Sequence, residues 1–129
     1  GAAGEQPLTS AIARRMQSAA LDLAGATDLG ALAAVIDRLD LLVTNDTGAS
    51  HVAAATATPS VIVCGPSRPS RWAPLDAELH IPVDAHVVVD PALDLADALR
   101  LLPVAPVLAA CERQLATSRA GLALTEVVA

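Results

Sequence analysis

Lysine, phenylalanine and tyrosine are absent from the 129-residue sequence, and tryptophan occurs once, at Trp72. The core must therefore be aliphatic, and single-stranded nucleic acid finds few stacking platforms. All eight basic residues are arginines, scattered from Arg14 to Arg119 and outnumbered by 14 acids. A net charge of −6 without a basic cluster argues against binding a nucleic-acid backbone by bulk electrostatics. Any phosphate site must rest on main-chain N–H groups and an arginine or two. Two cysteines, Cys64 and Cys111, are too few and too far apart for a disulfide framework. Cys64 lies in an apolar run and reads as a buried thiol, which favours a reducing compartment. No uninterrupted apolar run approaches the roughly 18 residues of a membrane-spanning helix. The opening residues lack the basic-then-apolar order of a secretory signal. A cytoplasmic location is expected. The sequence begins without Met, as a piece of a larger protein would.

What the sequence does have is Ala, Leu and Val, within a hydrophobic fraction of 53%. That suffices for one domain with a real core. Apolar spacing predicts a helix over Leu8–Ala20, with Pro7 in its first turn. A short strand is predicted at Leu21–Gly25. A helix over Thr27–Asp40 follows, capped by Thr27 or Asp28. Leu41–Asn45 and Ser60–Gly65 read as strands without polar alternation, the mark of a parallel sheet covered on both faces. A small-residue helix, Ala49–Ala57, lies between them. A Pro-rich loop runs from Gly65 to about Leu79. A strand is predicted at His86–Asp90, then a helix over residues 92–102 capped near Asp90 with Pro91 in its first turn. A last helix is predicted over Ala105–Ala120, and the closing residues 121–129 have no assignment. Strands alternating with helices predict an α/β, Rossmann-like parallel sheet with right-handed crossovers and helices on both faces. The series opens on a helix, so at least one strand of the sheet is expected to precede Gly1.

The chemistry concentrates in "LLVTNDTGASHVAAATATPSVIVCGP", Leu41 to Pro66. In open parallel sheets, ligands bind beyond the carboxyl ends of the strands, where Asn45 to His51 should lie. Gly48 allows a tight turn and a close approach of ligand. The helix behind it offers free N–H groups and the positive end of its dipole, an anion site that needs no lysine. Thr47 adds a hydroxyl. Asp46 would be repelled by a diphosphate, so it either caps the helix or accepts hydroxyls of a neutral group such as a sugar. His51 can point back to the same ligand. Anion donors beside a hydroxyl acceptor suit a nucleotide sugar. Other chemistries find less support. No G-x-S-x-G elbow accompanies Ser50 and His51. His51, His80 and His86 lack metal-ligand spacing, and there is no metal-binding Asp-x-Asp pair. In "GPSRPSRWAP", Arg68 and Arg71 are possible loop contacts, although two arginines in a Pro-rich loop are commonly solvated surface. Trp72 could stack on a base, but a single Trp more often packs beneath its loop.

"VTNDTGASHVAAATATPSVIVCGPSRPSRWAP" resembles the C-terminal signature of glycosyltransferase family nine, the ADP-heptose heptosyltransferases of lipopolysaccharide assembly. The shared features are the D-[ST]-G-x-x-H core, the Ala-rich helix, the Pro before the next strand, and the G-P-[ST] loop ending near Trp-x-Pro. "GAAGE" resembles the family's Gly-x-x-x-Glu segment, and "LAGATDLGALAAVIDRLDLLVTND" the helix leading into the signature. The resemblance covers roughly Gly1 to Pro74. It implies the C-terminal, donor-binding domain of a two-domain, B-type glycosyltransferase that acts with inversion and without a cofactor. The substrate would be a nucleotide diphosphate sugar of the ADP type, and the acceptor a glycan or glycolipid. A position peripheral to the inner membrane is compatible with that role. Asp46 and His51 would meet the donor sugar, Thr47 and Gly48 the diphosphate, and Glu5 the nucleotide ribose. No catalytic residue is expected within the chain, because the family's base lies in the N-terminal domain; the isolated chain should be inactive. Ala49 and Ser50 depart from the family's frequent Pro and Met, which weakens heptose as the sugar. The alternatives are a non-catalytic nucleotide-binding or interaction module, or a nucleotide-sugar epimerase-like or phosphorylase-like domain of the same architecture.

Overall fold

The computed structural model describes the backbone of residues 1–65 and 68–126, with side chains except at 95, 96 and 118–126. Pro66 and Ser67, the middle of the G-P-[ST] loop, and the final residues 127–129 lie outside the described residues. The chain falls into two compact units, Gly1–Val35 and Ile36–Ala129.

In the first unit, a 3₁₀ turn at Ala3–Glu5 leads into helix α1, Gln6–Ala13. Pro7 sits in the first turn of α1, where its missing N–H is harmless. The helix stops well short of the predicted Ala20. Residues 21–25 are not a strand either, because their polar groups are satisfied by side chains and a turn. Asp22 Oδ2 accepts from the hydroxyls of Thr9 and Ser10, and Asp22 Oδ1 accepts from the Ala24 N–H. Gln6 Nε2 donates to the Ala24 carbonyl at 3.0 Å. These hydrogen bonds, led by the Ala24 N–H, hold the Asp22 carboxyl below the usual carboxylate range. Gly25 takes φ +71°, with Ala3 Cα only 2.7 Å from where a Cβ would stand. Helix α2, Leu29–Ile36, starts as predicted at Asp28, whose Oδ1 accepts from the Ala31 N–H at 2.7 Å.

The second unit holds a three-stranded parallel sheet in the order β1 (Leu42–Asn45), β2 (Ser60–Cys64), β3 (His80–Asp84). The central strand is buried as its apolar run predicts: Val61, Ile62 and Cys64 are fully inaccessible. Because neighbouring strand residues point to opposite faces, both faces of β2 are covered. One face joins Val61, Ile81 and Val83 to Ala110, Val107 and Cys111 of helix α7, Val104–Glu126. Helix α3, Gly48–Ala55, packs against β1 and β2. β1 departs from the expectation. Its burial alternates and Val43 is 50% exposed, as befits an edge strand.

The third strand is not where the valine run suggests. β3 is His80–Asp84, and "HVVV" instead begins helix α5, Ala85–Val88. Asp84 causes the switch, because its Oδ1 accepts the His86 N–H at 2.9 Å and caps that turn. Pro82, which would interrupt a central strand, lies opposite Ile62 on a strand with one neighbour, where its missing N–H breaks nothing. Asp90 and Pro91 do not open the next helix. Asp90 Oδ1 accepts from the Ala92 N–H in a separate turn, and α6 begins at Leu95 and ends at Leu101. The Gly65–Leu79 segment also contains a short helix, α4, at Pro69–Trp72.

Two predictions arise from this framework. Helix α3 ends with Ala57 at φ 54°, a left-handed position that glycine normally fills. The Thr58 N–H reaches back to the Ala53 carbonyl and the Ala57 N–H to that of Ala54, the paired bonds of a Schellman cap. Ala57→Gly should therefore raise stability by about 1 kcal/mol, measured by urea unfolding, as the Cβ strain is relieved.

The second prediction concerns pH. His80 is buried, and its Nδ1 pairs with the Ser60 hydroxyl at 2.9 Å. Burial lowers its pKa below 6.5, only partly opposed by the charge of Asp76. The unfolded chain then takes up the proton first. Stability is full above about pH 6.5 and falls as pH drops toward the folded-state pKa. Urea midpoints between about pH 7.5 and 5 should show this slope, and His80→Gln should flatten it.

Candidate functional site

The carboxyl ends of the three strands carry Asn45, Cys64 and Asp84, with Cys64 and Asp84 in register. Asp46 follows β1 directly, and its N–H donates to the Val63 carbonyl at 3.2 Å, extending the β1–β2 ladder by one residue. Burial, then the negative charges of Asp46 and Asp84, push the Cys64 thiol up to about 11. Both carboxylates thus act on the same buried sulfur, which places them at one rim of the sheet. A thiol held so protonated is a poor nucleophile.

Thr47, not Asp46, is the N-cap residue of α3. It is extended (φ −143°, ψ 179°) and its side chain makes no capping bond. Its hydroxyl lies 3.4 Å from the Asn45 carbonyl, to which it donates. The turn is locked from the other side: Ser50 donates both its N–H, at 3.0 Å, and its hydroxyl, at 2.7 Å, to the Thr47 carbonyl. Ser50 is fully buried and serves as an anchor of this turn. That role was legible only as a Ser three residues into a helix, a pattern too common to single out.

Gly48 is the first residue of α3, and the tight-turn role expected of it is not what the structure shows. Among the described residues the only glycine with positive φ is Gly25, so the turn does not need a glycine at 48. A Cβ on Gly48 would meet nothing within 4 Å. The missing side chain instead leaves open space beside the start of α3, where the Gly48 and Ala49 amides have no acceptor within the helix.

Asp46, Thr47, Gly48, His51 and Trp72 line one open depression of about 300 Å³. His51 is exposed, one turn into α3. Trp72 is 58% exposed, against the expectation that it packs beneath its loop. Four candidates from the sequence are therefore brought together, and Trp72 joins them. Arg68 and Arg71 do not line the depression. Arg68 Nη2 lies 3.3 Å from His86 Nδ1, and Arg71 is exposed in the last turn of α4. Glu5 belongs to the other unit, where its Oε2 accepts the Ala2 N–H at 2.6 Å and caps the 3₁₀ turn. Among the described residues, no group of three His, Cys, Asp or Glu side chains is arranged to hold a metal. No helix there is long and apolar enough to cross a membrane.

The arrangement gathers amide donors, a hydroxyl, an imidazole, a carboxylate and an indole at the exit edge of a parallel sheet. The family profile described as glycosyltransferase family 9 (heptosyltransferase) matches residues 1–100. Among solved structures, a glycosyl transferase family 9 protein from Veillonella parvula DSM 2008 is similar, with TM-score 0.74 and 25% identity. That likeness covers 91% of this chain, which spans only 35% of the length of the Veillonella chain. No curated protein matches the chain significantly.

Proposed function

From the premise that this chain belongs to glycosyltransferase family 9, we propose that it is the donor-holding part of an inverting glycosyltransferase. Its donor is a nucleotide diphosphate sugar of the ADP type, with a heptose-like sugar. The acceptor, a lipopolysaccharide-type or other glycan, is met by residues outside this chain. The observation that supports this most is the β1–α3 junction: open space at Gly48, the first residue of the helix, with Asp46 and His51 on the same depression.

The chemistry follows from charge. As the glycosidic bond breaks, negative charge builds on the departing diphosphate. The amides at the start of α3 and the Thr47 hydroxyl are donors fixed in place, so they stabilise that charge without reorganising. Asp46 would oppose a phosphate placed against it and suits the sugar, where hydroxyls donate to its carboxylate. His51, on the next turn, can donate to a phosphate or sugar oxygen. The chain supplies no base for the acceptor hydroxyl in this scheme, so alone it binds donor without turning it over.

Calorimetric titration of ADP, an ADP-sugar and the free sugar tests the proposal. The ADP-sugar should bind more tightly than ADP by about 10-fold or more, the worth of a hydrogen bond to a charged group. Asp46→Ala should cut this difference sharply and leave ADP binding intact. Equal affinity of the wild type for ADP and ADP-sugar would remove Asp46 from any sugar role and favour a nucleotide-binding module without transfer activity.

A further inference from the structure

Trp72 is the largest apolar side chain the sequence supplies, yet the fold leaves it 58% exposed. Burying an indole is among the most stabilising contacts a fold can make. Here the ring lines the depression shared with Asp46, Thr47, Gly48 and His51. Its support is well anchored. The α4 turn closes with the Ala73 N–H on the Pro69 carbonyl at 2.9 Å. Arg68, the N-cap residue of α4, donates to His86 Nδ1, and His86 Nε2 donates to the Leu93 carbonyl at 2.7 Å. A guanidinium can only donate and a carbonyl only accept, so this relay selects the imidazole tautomer with its proton on Nε2. An exposed ring on an anchored turn loses little freedom when a ligand covers it.

The neighbours of the indole indicate what covers it. A sugar ring has a C–H face that is apolar and an edge of hydroxyls that donate. A flat aromatic wall and a carboxylate acceptor in one depression match both at once. Adenine would bring one donor, its 6-amino group, among ring nitrogens that only accept, so it matches the Asp46 carboxylate less fully than a row of sugar hydroxyls. We infer that Trp72 is the platform for the donor sugar, its indole against the C–H face of the ring whose hydroxyls Asp46 accepts. The inference rests on the proposed donor site and assigns a sugar-specificity residue within it. Arg68 and His86 then act as positioning residues for the platform.

Because Trp72 is the only tryptophan, its fluorescence reports this contact alone. Calorimetry and emission are followed together as ADP and ADP-sugar are added. The ADP-sugar should shift the emission to the blue, and ADP should leave it nearly unchanged. Trp72→Ala should weaken ADP-sugar binding about tenfold with little change for ADP. Trp72→Phe, which keeps an aromatic face, should restore most of the affinity. If ADP-sugar binds by calorimetry but the emission and the Trp72→Ala affinity do not respond, the platform is wrong and the donor site stands. If ADP alone produces the full shift, the ring stacks on adenine and the sugar assignment is overturned. If neither ligand binds, the donor site itself fails, and the platform with it.

Discussion

Gly65→Ala should destabilise the sheet-bearing unit by about 1–3 kcal/mol, the usual penalty for overfilling a packed core. Gly65 follows β2 at the rim where the candidate site lies. A Cβ there would stand 2.8 Å from Leu99 Cβ, 2.9 Å from its Cδ2 and 3.1 Å from its Cδ1. The methyl groups can rotate aside, but the Cβ is fixed to the backbone of α6, so the helix must move. Urea unfolding of the single variants and of Gly65→Ala/Leu99→Gly checks this. Leu99→Gly alone loses packing and helix preference, yet by removing the Cβ it should lessen the effect of the added methyl. The double variant should therefore be less damaged than the two losses added. Strict additivity would show that this contact does not limit the packing.

Gly48→Ala should do the opposite: leave stability unchanged or slightly raised, and weaken ADP binding about tenfold. Alanine is the better helix former, and the added methyl meets no atom of the protein within 4 Å. A site that grips phosphate through its first helical amides needs that space for ligand oxygens. Thermal unfolding and ADP calorimetry on the same samples separate the effects. Unchanged affinity would mean the phosphate does not approach this end of α3.

Much of this geometry is legible in the sequence, and the failures have identifiable physical causes. The five residues of β2 stand out because near-continuous burial demands continuous apolar character, and α3 because its small residues form one apolar segment between two strands. The Asn-Asp-Thr-Gly junction is legible for the same reason: polar residues end an apolar run abruptly. β3 was hidden, since Pro82 and His80 argue against a strand; the edge position makes Pro82 tolerable, and the Ser60 hydroxyl partners the buried His80. "HVVV" misleads because strand preference is weak against a local cap, here Asp84. Leu21–Gly25 misleads because Asp22 serves side chains of α1, a contact 13 residues away from Thr9. At the site, the residue types suggested the ligand class, but not the company they keep. Trp72 reaches the depression through the α4 turn, and no spacing in the sequence encodes that approach. Of the two roles read for Gly48, the tight turn is not found, and the open space beside it is compatible with the close approach of a ligand.

The most direct test of the account is an amide-resolved NMR titration of the chain with an ADP-sugar. The largest shifts should fall at Thr47, Gly48, Ala49 and His51, the start of α3 at the exit edge of the sheet. Shifts confined to the opposite edge, around Ser60 and His80, or absent from 47–51 while the ligand binds, would contradict it.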